Sequence, residues 1–271
     1  MDKIDFYLGD FQNWDSGYEI SEIPESVDQA KARFSSSNNE KPDRLFDNCG
    51  LVSELPFYFK GCEANTPEEP YVLTKNRIFS NSGVIVFSVQ ENRHWSHYYK
   101  SPPDIPFSEK KPVAFWRGAN TGDKRKYSRR GDFVKLNGGC VDSAWSFKDR
   151  KQPRHFLEHK YLVSIEGNDK DSGLNWKLNS NSLVLMPRPR TVSWLMESWL
   201  IPYEHFVPLR DDFSDIEEKV SWCESNQSKC REIVKNANEH MDMFSDRQEQ
   251  VRLEIEVLKK YFKKLSECTN K

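Results

Sequence analysis

Residues 160–178 carry the types and spacing from which chemistry could be built: Lys160-Tyr161-Leu162-Val163-Ser164-Ile165, then Glu166-Gly167-Asn168-Asp169-Lys170-Asp171-Ser172-Gly173, then Leu174-Asn175-Trp176-Lys177-Leu178. The order reads as a strand, a polar glycine-containing loop and a short helix. Unpaired amides at the start of a helix carry the positive end of its dipole, and Gly167 and Gly173 would let a phosphate approach the main chain. Ser172 adds a hydroxyl and Lys177 a mobile cation. The loop follows neither the dinucleotide-binding nor the P-loop glycine pattern, so its local chemistry points to an anion without saying which.

That loop needs a scaffold. Short β-rich runs at 71–73 and 84–89 precede Ser101-Pro102-Pro103-Asp104-Ile105-Pro106, whose prolines remove donors and suit an interdomain linker. Val113-Ala114-Phe115-Trp116, Tyr161-Leu162-Val163-Ser164-Ile165, Leu183-Val184-Leu185-Met186 and Phe206-Val207-Pro208-Leu209 follow, spaced by segments able to hold helices. Such alternation predicts an α/β fold with a parallel sheet between helices. Helices are expected over 215–223 and 229–243. Val251, Ile255, Leu258, Phe262 and Leu265 then form one apolar stripe on a terminal helix. The expected domains are an N-terminal acceptor-side domain 1–106, a C-terminal nucleotide-sugar-binding domain 107–243 and the amphipathic helix 244–271. The first seventy residues permit little assignment.

Composition narrows the function. A 37% hydrophobic fraction with 8 Trp, 10 Tyr and 17 Phe can build a core or a sugar-stacking cleft. The 40 Lys plus Arg nearly cancel the 42 Asp plus Glu, so no overall field draws the chain to nucleic acid or an anionic membrane. No apolar run reaches signal-peptide or transmembrane length, which predicts a cytoplasmic protein. Six cysteines without zinc spacing are expected to be free thiols.

Further elements continue the pattern after the loop: Ser180-Asn181-Ser182-Leu183-Val184-Leu185-Met186-Pro187, Trp194-Leu195-Met196-Glu197, Ile201-Pro202, His205-Phe206-Val207-Pro208-Leu209 and Asp211-Asp212-Phe213-Ser214-Asp215. Phe115-Trp116-Arg117-Gly118 with Thr121-Gly122 stands ahead of it. In order and spacing this set, over roughly 110–240, resembles glycosyltransferase family 90 in its bacterial-type form. The family includes protein O-glucosyltransferases, capsule xylosyltransferases and lipopolysaccharide-modifying enzymes. The resemblance implies a GT-B fold, two Rossmann-like domains facing across a cleft with the terminal helix packing back on the N-terminal one. It implies a UDP-sugar donor in the C-terminal domain, no obligatory cofactor and no divalent metal. By position Arg117 would neutralise the donor diphosphate beside Gly118 and Thr121. Lys160, Gly167, Ser172, Gly173, Asn175, Lys177 and Glu197 complete the expected donor set.

Inverting transfer also needs a base for the acceptor hydroxyl and positive donors for the departing diphosphate. Many family members place an Arg after the loop serine, where this chain offers Lys177. The protein O-glucosyltransferases draw their base from an Arg-Asp pair, and the nearest equivalent here, Lys75-Asn76-Arg77, is followed by Ile78. Candidate bases are therefore His94, Asp104 and Glu158. The expected reaction moves glucose or xylose to a hydroxyl of a glycan acceptor of lipopolysaccharide, capsule or glycoprotein type. Asp169-Lys170-Asp171 has the spacing of a metal-holding pair but reads as loop acids. The basic run 124–130, with Lys148, Arg150, Lys151 and Arg154, lacks the aromatic register of a nucleic-acid surface and suits donor phosphates or an anionic acceptor. The missing Arg-Asp base leaves an inactive carbohydrate-binding protein as the alternative, and the basic residues of 124–154 leave a nucleic-acid-binding protein as a more distant one.

Overall fold

The computed structural model describes residues 2–9, 73–74, 76–78, 85–86, 103–121, 130–168 and 170–269. Its elements in chain order are α1 (Lys3–Leu8), β1 (Leu73–Thr74), β2 (Asn76–Ile78), β3 (Ile85–Val86), β4 (Lys111–Gly118), α2 (Arg130–Lys135), β5 (Val141–Trp145), α3 (Pro153–Phe156), β6 (His159–Val163), α4 (Leu174–Leu178), β7 (Leu183–Met186), β8 (Thr191–Ser193), β9 (Val207–Pro208), α5 (Ile216–Ser225), α6 (Gln227–Asp242) and α7 (Arg247–Thr269). The chain divides into two compact units. One comprises Met1–Trp95, Thr191–Met196 and Asp246–Lys271, the other Ser96–Arg190 and Glu197–Ser245.

In the first unit, the Asp2 carboxylate accepts from the Ile4 amide at 3.3 Å and so starts α1. Phe6, Tyr7 and Leu8 bury. The Tyr7 hydroxyl donates to the Trp194 carbonyl at 2.7 Å, and Arg77 donates to the Phe6 carbonyl at 2.8 Å. β1 pairs with β3 in parallel, and β2 with β8 antiparallel. Arg77, the residue nearest in sequence to an Arg-Asp pair, thus holds α1 to β2. α7 packs along α1 and buries Val257, Leu258, Tyr261 and Phe262. The predicted stripe is half right: Leu258 and Phe262 are inside, Val251 and Ile255 only partly so.

The second unit is built on a five-stranded parallel sheet ordered β5-β4-β6-β7-β9. Side chains alternate across it. Ala114, Trp116, Tyr161, Val163, Leu183 and Leu185 share one core with Phe133 of α2, Val220 of α5 and Ile233 of α6, while Phe115 and Leu162 meet Phe156 of α3 and Trp176 of α4 on the other face. Helices on both faces explain the continuous apolar runs of β6 and β7, which have no solvated side. β5 escaped the sequence reading because it is an edge strand with Asp142 and Ala144 half-exposed. Residues 103–106 do not behave as a free linker: the Asp104 carboxylate accepts from the Asn181 amide at 2.6 Å, and Asn181 Nδ2 donates to the Ile105 carbonyl at 3.1 Å.

Candidate functional site

Taken in chain order, the sheet strands run second, first, third, fourth, fifth. The chain enters at β4, goes outward to β5, then crosses back to β6 on the other side. In such doubly wound sheets ligands bind beyond the carboxyl ends of the strands, where the winding reverses. Here that point lies between Gly118, which ends β4, and Ser164-Ile165-Glu166-Gly167, which follows β6.

Arg130, the first residue of α2, joins those two loops. Its Nη2 and Nε donate to the Ile165 carbonyl at 2.9 and 3.3 Å, and its Nη1 reaches the Ala119 carbonyl at 3.2 Å and Thr121 Oγ1 at 3.0 Å. Gly167 leaves room for this arrangement: a Cβ there would sit 2.8 Å from the Arg130 guanidinium, which would have to shift. Gly118 is required for packing, since a Cβ would meet the Trp116 ring at 2.3 Å. Sequence reasoning placed Arg130 within a basic run; its signal as a site residue is spatial, set by the β4–β6 crossover.

The loop after β6 is organised by Asp171. Its carboxylate accepts from Ser164 Oγ at 2.8 Å, the Gly173 amide at 2.9 Å and Lys177 Nζ at 2.5 Å, and Lys177 also donates to the Val163 carbonyl at 3.0 Å. Burial opposes the Asp171 charge, but Lys177 and Arg130 prevail and hold its carboxyl below the usual range. The expected mobile cation is therefore a buried structural one, with Lys177 only 3% exposed. α4 is a single turn, and the Gly173 amide ahead of it is taken by Asp171. The helix start is thus not an open phosphate cradle. Ser172 is half-buried at this turn and Asn175 is inside. Asp169 lies outside the described residues.

Beyond the carboxyl ends of β6, β7 and β9 is a cleft lined by Ser164, Glu166, Lys170, Arg188, Glu197 and Asp211, among others, with a cavity volume of about 40 Å³. That volume suits waters or ligand hydroxyls, not a whole nucleotide. Lys170 and Glu197 form a buried ion pair at 3.5 Å. Glu166 accepts from the Arg190 amide at 2.9 Å, and the Arg190 guanidinium pairs with Asp211. Arg188, exposed at the mouth, has no carboxylate partner among the described residues. The cleft floor includes Phe213 in a left-handed conformation (φ 58°), held against Phe133 at 5.0 Å.

Other predicted residues lie elsewhere. Arg117 is bound between Asp142 at 2.7 Å and Asp149 at 2.8 Å, with its guanidinium 4.4 Å from the Phe115 ring centre. Lys160 is at the amino end of β6, donating to Gln227 at 3.2 Å and Glu224 at 3.3 Å. A five-residue strand separates its two ends by about 13 Å, so Lys160 stands away from the loop after β6. Two base candidates also lie at that end of the sheet, each already paired. Asp104 is occupied by buried Lys110 and by two amides, of Ile105 at 2.8 Å and Asn181 at 2.6 Å. Glu158 pairs with Lys111 at 2.8 Å, and that bond holds its carboxyl below the usual range. Both precede strands at the amino edge of the sheet. His94 and the basic residues 124–129 lie outside the described residues.

Comparison with known proteins agrees with the ordered elements. The model of Glycosyl transferase family 90 matches residues 92–269. O-glucosyltransferase LpsA of Dichelobacter nodosus is 32% identical over 225 residues, covering 80% of this chain and 65% of LpsA. Uncharacterized protein 179R of Invertebrate iridescent virus 6 is 32% identical over 91 residues, 31% of this chain and 8% of that protein. Human protein O-glucosyltransferase 3 is 31% identical over 81 residues, 30% of this chain and 16% of that protein. The chain thus spans just under two thirds of LpsA and a small part of the others.

Proposed function

This chain belongs to glycosyl transferase family 90, and from that premise we propose that it transfers glucose or xylose from a UDP-sugar to a hydroxyl of a glycan acceptor, with inversion. The observation that carries the reading is the polar cleft beyond the carboxyl ends of the sheet, beside the β4–β6 crossover. On this reading the Ser96–Arg190 and Glu197–Ser245 unit is the nucleotide-binding half of a GT-B enzyme.

The diphosphate lies across the cleft mouth. Arg188 offers it a planar guanidinium fork, and charge-assisted bonds of that kind are the strong ones. Arg130 acts one step back: it fixes the 119–121 and 165–167 loops against each other and adds positive potential. Glu166 and Glu197 place carboxylates where ribose hydroxyls can donate to them, the use doubly wound folds commonly make of an acidic residue near the crossover. As the bond to the anomeric carbon breaks, charge develops on the leaving diphosphate, and the guanidinium groups beside it stabilise that charge. A base must take the acceptor proton. With Asp104 and Glu158 at the amino edge, His94 is the remaining candidate. No step is assigned to a metal, and full activity in excess chelator is the expected result.

A panel of UDP-sugars tests the reading by thermal shift and by release of UDP. One donor of glucose or xylose type should stabilise the protein and turn over. No stabilisation by UDP or any UDP-sugar contradicts it. Replacing His94 by Ala should abolish transfer with UDP affinity retained; unchanged transfer removes His94 from the role.

A further inference from the structure

β5 ends beside Gly118, in register with Trp145, and the turn that follows carries an aromatic platform. Phe147 is 67% exposed. A lone exposed Phe would need no explanation, but this ring is mounted. It stacks on Trp145, with ring centres 6.3 Å apart and planes within 14°. Trp145 in turn packs edge-on against the core residue Trp116 at 5.8 Å. The turn beneath is closed by the Lys148 and Asp149 amides, both donating to the Trp145 carbonyl at 2.9 and 3.0 Å, and the Ser146 amide ties it to Gly118 at 2.8 Å. Phe147 is therefore held out in water in a fixed orientation.

The charge around it is one-sided. Asp149 is neutralised by Arg117 at 2.7 Å and Lys151 at 2.8 Å. Lys148, 6.0 Å from the Phe147 ring centre, and the exposed Arg150 of the same turn have no carboxylate partner among the described residues. A rigid apolar face amid uncompensated cations matches a ligand with an apolar ring face and anionic substituents. Nucleotide-sized ligands are held in concave sites that cover most of their surface, whereas this platform is raised. A saccharide chain, which lays successive rings along a surface, fits it better.

We propose that Trp145 and Phe147, with Lys148 and Arg150 of the same turn, form a binding surface for an oligosaccharide bearing phosphate or carboxylate groups, the acceptor of the transfer; naming it the acceptor rests on the glycosyl-transfer reading above. The surface lies one strand from the crossover, on the same carboxyl edge as the donor cleft.

The test titrates a panel of phosphorylated bacterial and fungal core oligosaccharides, each with and without phosphatase treatment, into wild type, Phe147→Ala, Phe147→Tyr and Lys148→Gln/Arg150→Gln. UDP is titrated in parallel. At least one phosphorylated oligosaccharide should bind wild type. Phe147→Ala should weaken it five- to tenfold, the scale of an aromatic contact, and Phe147→Tyr less than twofold. The double Gln variant and phosphatase treatment should each weaken it several-fold, with UDP affinity within twofold throughout. Equal binding by Phe147→Ala, or no oligosaccharide binding by wild type, overturns the proposal. A fall in UDP affinity in Phe147→Ala also overturns it, by making the platform part of the nucleotide site. Oligosaccharide binding that depends on Phe147 in a protein that ignores UDP supports the surface and removes the donor reading instead.

Discussion

The two edges of the five-stranded sheet use the same kinds of residue for different ends. At the amino edge every candidate charge is spoken for: Asp104 by Lys110 and two amides, Glu158 by Lys111, Lys160 by Glu224 and Gln227. These groups close the sheet's lower loops and hold α5 and α6 to β6. At the carboxyl edge Asp171, Arg130 and the Lys170–Glu197 pair are also bonded, yet what they build is a cleft, with Arg188 at its mouth. In a parallel sheet all strands point one way, so the loops after the strands gather on one side and those before them on the other. A Lys or an Asp acquires its role from that side, not from its type.

Matched variants at the two edges can break this contrast. Asp171→Ala and Asp104→Ala each leave a buried lysine charge without its carboxylate, and each should cost about 3 kcal/mol in denaturant unfolding. Only Asp171→Ala should also weaken UDP, because it releases the loop after β6; if Asp104→Ala weakens UDP equally, the edges are not distinct. For Asp171 the pH sign follows from its depressed folded value. Its stabilisation is complete above the ordinary 3.8 and is lost as pH falls through and below it, so acid unfolding should begin at higher pH in Asp171→Asn. Arg130→Ala should reduce UDP affinity by about tenfold or more, on the scale of lost bonds to a charged group. Arg130→Lys should recover part of that, and a merely structural role would leave affinity unmoved once folding is restored at low temperature.

Smaller effects lie at the amino edge. His159 is buried against Phe115, with ring centres 4.2 Å apart, and burial depresses its pKa below 6.5. The unfolded chain then takes the proton first, so stability present above about pH 6.5 falls as the pH drops through it. The loss of Tm between pH 7.5 and 5.5 should shrink in His159→Asn. Glu158→Gln, at an exposed pair, should change stability by less than about 0.5 kcal/mol and leave turnover unchanged; a large loss of turnover would restore Glu158 as a base.

The sheet was largely legible in advance. Strands buried on both faces, such as Tyr161-Leu162-Val163 and Leu183-Val184-Leu185-Met186, announce themselves as unbroken apolar runs, and α5 and α6 fall within two residues of expectation. β5 did not announce itself, since half its side chains meet water. The site was less legible. Gly167 could be singled out as a loop glycine and Glu197 by its place in the family's ordered elements, but a residue's edge and partners are tertiary facts. Lys177 looked like a mobile cation until its partner Asp171, six positions away, was placed beside it. Arg130 was hidden in a basic run because its bridging place depends on two carbonyl groups, of Ala119 and Ile165, from separate loops.

One experiment bears most directly on the claim that the donor lies at the carboxyl edge beside the crossover: calorimetric titration of UDP into wild type, Arg188→Ala and Asp104→Ala at a temperature where all three are folded. The account predicts binding by wild type, at least a tenfold loss in Arg188→Ala and a change within twofold in Asp104→Ala. Unaltered binding by Arg188→Ala together with loss in Asp104→Ala would place the nucleotide at the other edge and contradict it.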